Sequence, residues 1–291
     1  NGDNAKTMSE NVNWTVPWGT LSPSLIYPNS NINAVQNYTF TFSSQLTCTG
    51  GECGNISATL DPEMWWDTDW DFRKEINVTN VGSTTLTDFP VYINLSSEPG
   101  MSTNYSDLRF LNGSCISDSE LELDYDIDYN DSNHVEVWVK VPEFNTGVYT
   151  LCVYYGNDEA EKGENSTQVW DDNYQAVLHL SEPADQTRYD STQFNRNGTP
   201  TDYNLDEKTP GIVGQADHLD GSDDKIILDG YIGVSGIQER TTSFWYKSDT
   251  SSGTFRFVSW GAESSGEKYD VRTHDSGDYL RDENKDEQEY G

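Results

Sequence analysis

Basic residues are scarce in this chain. Seventeen Lys and Arg stand against 50 Asp and Glu in 291 residues, for a formal net charge of −33. A surface of that sign repels nucleic acid and anionic lipid, so neither is an expected partner. Long apolar runs are missing too. None approaches the length of about 18 residues that suggests a membrane-spanning helix, so no membrane insertion is expected within these residues. Catalytic signatures are equally absent: there is no H-E-x-x-H, no G-x-S-x-G, no phosphate-binding loop and no glycine-rich dinucleotide fingerprint. The expectation is a protein without enzymatic activity.

Cysteine is rare, with four residues. In "LTCTGGECGNISATL" Cys48 and Cys53 flank four residues, two of them glycine. Metal knuckles and redox pairs usually have two intervening residues, so the wider spacing reads as a disulfide across a tight turn. Cys115 and Cys152 then form the second bridge, the connectivity that keeps each bridge inside one expected domain. The chain opens at Asn1 with neither a Met nor an apolar leader, which reads as a mature or internal segment.

Asparagine is what the sequence has in excess. Ten Asn-x-Ser/Thr triplets occur, at Asn13, Asn37, Asn55, Asn77, Asn94, Asn104, Asn112, Asn130, Asn165 and Asn197. Chance would give about five from this composition. In "NYTFTF", "NISATL", "INVTN" and "FPVYINLS" the sequon Asn alternates with the apolar face, which leaves Asn37, Asn55, Asn77 and Asn94 pointing outward. An Asn/Ser/Thr-rich surface could also spell sequons without carrying glycans. Together with the paired cysteines they place the chain outside the cell, with N-linked glycans as its covalent additions.

Almost everything reads as β. "HVEVWVKVP" puts Val135, Val137, Val139 and Val141 on one face and His134, Glu136, Trp138 and Lys140 on the other. No stretch of about a dozen residues shows helical periodicity with caps. The expected fold class is all-β, with tandem β-sandwich and jelly-roll domains after a short β-segment. Residues 1–62 form that segment, 63–170 a longer strand-rich block, and 171–291 shorter strands between Gly-Asp loops.

The motifs "WWDTDWDFRKEINV", "LTDFPVYINL", "YSDLRFLN", "VEVWVKVP" and "YTLCVYYGN" together resemble the secreted domain-of-unknown-function 2341 family over about residues 65 to 170. "AVLHLSE", "DSTQFNRNGT", "GIVGQADHLDGSDDKIIL", "TTSFWYKS" and "FVSWG" resemble a laminin-G/concanavalin-like jelly roll. The "LTCTGGECGNISATLDP" stretch is similar to large surface proteins of small-genome archaea. The first resemblance implies no activity. The second implies binding of glycans or proteins, often with calcium, and places that ion near Asp190 of "DST" and at Asp223 and Asp224 of "DGSDD".

Other acids are weaker candidates. Glu122-Leu-Asp124 resembles the start of a glycanase E-x-D motif, but Ile127 stands where its second Glu is needed. Asp124, Asp126 and Asp128 mimic the start of a calcium loop without its glycine or bidentate glutamate. The expected arrangement there is a strand with Tyr125, Ile127 and Tyr129 inward and its acids in water. Asp185, Asp217 and Asp220, like Asp190, Asp223 and Asp224, sit in or near turns and make better candidates: oxygen-rich loops suit a hard cation, and the alternative is turn-forming aspartate in Asx-turns. His179 and His218 read as structural histidines at the core edge. Trp65, Trp66 and Trp70 offer either a sugar platform or core packing, with packing favoured.

In "NVNWTVPWGTL" Val12, Trp14, Val16 and Trp18 share one face, a strand with four apolar knobs. It pairs either with a neighbouring copy or preceding domain by strand donation, or with its own chain. The functional expectation is a glycosylated structural protein of the cell surface or of a filament, adhesive in character, whose partners are copies of itself. The alternative is a calcium-assisted carbohydrate-binding module of a larger secreted adhesin or enzyme, with glycans as partners. Peptide mapping of native material should find glycan mass on at least three of the ten sequons; fewer would contradict the extracellular glycoprotein reading.

Overall fold

A computed structural model of the chain describes residues 14–16, 19–27, 42–51, 65–115, 121–203, 208–234, 238–248, 253–261, 268–273 and 280–282. The expected fold class holds: seventeen strands accompany a single one-turn helix among these residues. No helix of the described residues is long and apolar enough to cross a membrane.

The chain divides into two compact units. The first comprises Asn1–Val91, Ser96–Tyr125 and Val139–Glu164; the second comprises Tyr92–Leu95, Asp126–Trp138 and Asn165–Gly291. In the first unit β1 (Trp14–Val16), β2 (Gly19–Tyr27) and β3 (Ser43–Thr49) form one sheet in that order. β1 folds back on β2 of its own chain, with Trp14 opposite Leu21 and Val16 opposite Gly19. Of the expected knob residues, Trp14 and Val16 thus lie on an intrachain hairpin. Val12 and Trp18 are outside the described residues, as are Asn13, Asn37, Asn55 and Cys53.

A second sheet carries the core of that unit. It uses β4 (Phe72–Asn80), β6 (Arg109–Asn112), β7 (Glu122–Leu123) and β10 (Gly147–Tyr155) in the order β4-β10-β6-β7. β10 is its apolar spine: Leu151, Cys152, Val153 and Tyr154 are fully buried. A run buried on both faces is the pattern of a central strand. A third sheet runs β5 (Leu86–Ser96), β9 (His134–Phe144), β8 (Tyr125–Asn130). The four valines of β9 read from alternation are all fully buried.

The second unit also contains α1 (Ser166–Val169), β11 (Gly198–Thr201), β12 (Lys208–Pro210), β13 (Gln215–Asp217), β14 (Lys225–Leu228), β15 (Arg256–Gly261), β16 (Lys268–Thr273) and β17 (Leu280–Asp282). They pair as β11-β14, β12-β13 and β15-β16-β17.

Cys115 and Cys152 are joined, with their Cα atoms 5.0 Å apart. Cys152 lies mid-β10 opposite Leu111 of β6, so the bridge ties the loop after β6 to the spine. Cys48 is also disulfide-bonded, while its expected partner Cys53 lies outside the described residues. Trp70, Leu111 and Tyr154 pack around the buried bridge, with Trp65 and Trp66 half-buried against them. The Trp70 indole donates to the Asp107 carbonyl at 2.7 Å, and the Arg73 guanidinium lies 4.2 Å over the Trp65 ring. The tryptophans cap the disulfide, as core packing requires.

Replacing Cys115 and Cys152 together by alanine is expected to lower stability by about 2–4 kcal/mol. Urea unfolding of the purified chain measures it, and an unchanged midpoint would contradict the role given to the bridge.

Candidate functional site

The most elaborate polar arrangement lies within the second unit, on β8. Strand alternation brings Asp126 and Asp128, two residues apart, to the same face. That face is covered. Their side chains are 2% and 5% exposed, which corrects the expectation that the acids of "ELDYDIDYND" point into water. The physical reason is that His179 stands between them. Its Nε2 lies 2.7 Å from Asp126 Oδ2 and its Nδ1 lies 2.8 Å from Asp128 Oδ2.

Two indoles complete the set. Trp170 donates from Nε1 to Asp126 Oδ2 at 2.8 Å, and Trp138 donates from Nε1 to Asp128 Oδ2 at 2.8 Å. The Oδ2 of each aspartate therefore receives one imidazole N–H and one indole N–H. The two indoles pack on each other with centroids 5.7 Å apart, and Trp170 also meets Tyr174 and His179. Trp170 follows α1 directly, so the single helical turn sets where its ring enters the clamp.

The electrostatics follow from burial and from partners. Burial by itself would strip the proton from His179, but the hydrogen bonds and charges of Asp126 and Asp128 outweigh it and raise the pKa to about 10. Burial likewise pushes Asp126 up, while the His179 contact and the Trp170 and Ser191 hydrogen bonds pull it net below its ordinary value. At neutral pH the site is one imidazolium between two carboxylates. Both imidazole nitrogens are donors, so neither offers a lone pair to a metal or to a substrate proton.

The network extends to Glu136 on β9. His134 Nε2 lies 3.1 Å from Glu136 Oε1 and its Nδ1 lies 3.0 Å from Asp131 Oδ1. The Gly214 N–H donates to Glu136 Oε2 at 2.7 Å. Gly214 adopts φ +54°, and a Cβ there would stand 2.8 Å from Asp128 Oδ1, a buried oxygen that has no hydrogen-bond partner. Both the backbone and the close approach call for glycine.

Two further buried acids organise loops of the same unit. Asp190 accepts from the N–H groups of Val177, Thr192 and Arg196 and from Thr192 Oγ1, at 2.8–3.0 Å. Its oxygens are consumed by protein donors. Asp190 is not among the acids whose ligand atoms come together at Asp220, Asp223 and Asp224. Asp217 takes a bidentate pair from fully buried Arg188 at 2.8 and 3.0 Å, together with Lys208 Nζ at 2.7 Å.

Asp220, Asp223 and Asp224 do come together, with ligand atoms within 4.8 Å of one another. Asp224 Oδ2 and Asp220 Oδ1 already accept turn N–H groups, at 2.6 and 2.7 Å. Calcium takes about six to eight oxygens, which carboxylates supply together with backbone carbonyls and water. Glu122 is half-exposed and faces Arg109 at 3.4 Å. Of the sequon residues, Asn77, Asn94, Asn104, Asn130 and Asn165 are exposed, and Asn112 and Asn197 are half-buried.

Residues 104–193 match the model of a family described as a domain of unknown function, DUF2341. The match begins later and ends later than the span of about 65–170 read from motifs. "WWDTDWDFRKEINV" and "LTDFPVYINL" fall outside it, and "AVLHLSE" falls inside. Every member of the clamp lies within the matched segment, and so does the Cys115–Cys152 bridge. No curated protein and no solved structure matches the chain.

The clamp makes stability depend on pH at both ends. His179 has a folded pKa raised from 6.5 to about 10, so its contribution is full below about 6.5 and is lost as pH rises toward 10. Asp126 has a folded pKa below its ordinary 3.8, so its contribution is full above about 4 and is lost as pH falls further. His179→Gln should cost roughly 3–5 kcal/mol at pH 6, because two buried carboxylates lose their counter-charge. It should also flatten the alkaline slope. Denaturation measured from pH 5 to pH 10 checks both; parallel profiles for the two proteins would contradict the assignment.

Proposed function

We propose that this chain is a non-enzymatic structural component of an extracellular surface layer or filament, glycosylated and held together by β-domains. The observation that carries the reading is the full engagement of the clamp's histidine. Both its nitrogens are spent on carboxylates, and each carboxylate oxygen that meets it also takes an indole proton. Such a histidine fastens segments together, and its imidazole has no free lone pair with which to start a reaction. The disulfide and the exposed sequons suit an oxidising, extracellular setting. In this reading residues 171–291 are a laminin-G/concanavalin-like jelly roll, and residues 1–62 the segment through which copies meet.

A calcium-assisted carbohydrate-binding module is the second reading. Trp245 and Tyr246 are 77% and 48% exposed, as stacking on sugars would require, and Asp220, Asp223 and Asp224 offer a cluster of oxygens. Electron micrographs of the native material separate the two. Rods, fibres or an ordered array are the expected result. Dispersed particles whose binding to a glycan array disappears with chelator would overturn the structural reading in favour of the second.

A further inference from the structure

A cleft of about 400 Å³ opens within the first unit, lined by Asn112, Leu121, Pro142, Glu143, Asn145 and Tyr149. Pockets that take small ligands run from about 300 to 1,000 Å³, so this one has room for a sugar ring. One of its walls is a sequon residue, because Asn112 begins the triplet Asn112-Gly113-Ser114.

Strand register explains why Asn112 and Tyr149 meet here. Asn112 ends β6 opposite Leu151 of β10, and Tyr149 lies two residues before Leu151. Side chains two apart on a strand share a face, so Tyr149 is the diagonal neighbour of Asn112 on that face. The Tyr149 hydroxyl donates to Asn112 Oδ1 at 2.6 Å, and its ring meets Phe144 edge to face at 5.8 Å. Burial and the Glu143 carboxylate both push the Tyr149 hydroxyl above its ordinary pKa, so it remains a donor at neutral pH.

The backbone at the sequon is anchored as well. The Asn112 N–H donates to the Leu121 carbonyl at 2.9 Å and the Gly113 N–H to the Thr150 carbonyl at 3.1 Å. Three residues on, Cys115 is bridged to Cys152. The side-chain amide therefore projects from a fixed point.

An asparagine amide is planar, with an acceptor oxygen on one arm and a two-donor nitrogen on the other. Tyr149 holds the oxygen arm, which leaves Nδ2 on the arm away from its hydroxyl. A sugar joined to Nδ2 spares the carbonyl and one N–H. The Tyr149 hydrogen bond thus survives the modification and sets the direction in which the sugar leaves. Transfer from a lipid diphosphate donor balances. Nδ2 bonds to the anomeric carbon, the bond from that carbon to the diphosphate oxygen breaks, one amide proton is released, and the lipid diphosphate departs.

The walls suit the ring that would follow. A sugar ring presents a face of C–H bonds and a rim of hydroxyls. The Tyr149 ring, Leu121 and Pro142 offer apolar surface to the face, and Glu143 and Asn145 offer polar groups to the rim. Asn77 gives the contrast: it is exposed on β4, where a sugar would project into water. We propose that Asn112 carries an N-linked glycan whose first sugar is seated in this cleft against Tyr149. This rests on the glycosylated-surface reading and adds to it one sequon whose sugar packs as part of the fold.

The test uses the whole chain secreted by a host that attaches glycans beginning with N-acetylglucosamine. Mass spectrometry resolved by site follows enzymatic release of each glycan, from folded protein and from protein unfolded and reduced. In the folded chain, release at Asn112 is expected to be at least about tenfold slower than at Asn77, because the sugar must first leave its seat. Unfolding should abolish the difference. Tyr149→Ala should raise release at Asn112 to the level of Asn77, while Tyr149→Phe, which keeps the ring, should retain protection. Should the alanine variant fail to fold, the wild-type comparison decides alone. Equal release at the two sites of folded wild type, or protection that survives Tyr149→Ala, would overturn the seating. A bare Asn112 beside a glycosylated Asn77 would overturn the site and leave the glycosylated-surface reading standing. Absence of glycan from every sequon, in this chain and in native material, would overturn both.

Discussion

Buried carboxylates need donors, and this chain has few cations to supply them. With 17 Lys and Arg for 50 Asp and Glu, it cannot pair its acids one to one. The interior resolves the shortage by using neutral donors beside each scarce cation. His179 serves two aspartates at once, and the Trp138 and Trp170 indoles add one N–H group to each. Fully buried Arg188 spends its fork on Asp217 while its Nη1 also donates to the Pro183 carbonyl at 2.8 Å. Asp107 and Asp190 have no cation among the partners described here and are held by backbone N–H and hydroxyl groups instead. An unpaired buried charge would cost far more than any of these contacts contributes, so donor supply limits where an acid can enter the core.

The same shortage shapes the surface. Arg73 and Arg188 are the buried cations among the described residues, and an excess of 50 acids over 17 bases leaves the exterior strongly acidic. The donor network of the clamp and the acidic exterior are two outcomes of one charge balance.

Part of this was legible in the residues. Alternation in "HVEVWVKVP" identified four valines that are fully buried, and the pairing of Cys115 with Cys152 followed from keeping each bridge within one block. The acids of "LDYDIDYN" were misplaced for a definite reason. Period-two alternation says which residues share a face of a strand, but not whether that face is covered. Asp126 and Asp128 were correctly set opposite Tyr125 and wrongly given to water. The covering group, His179, lies 53 residues further along than Asp126, and no local pattern links the two. Asp190 is held by backbone donors from residues 177, 192 and 196, a placement only the folded loop creates.

The central claim is that His179 is a permanently charged fastener between two buried carboxylates. NMR titration of the imidazole nitrogens reads its state directly. The account predicts two protonated ring nitrogens at neutral pH and a titration displaced to about pH 10. A histidine that loses its proton near 6.5, or that shows one bare nitrogen at pH 7, would contradict it.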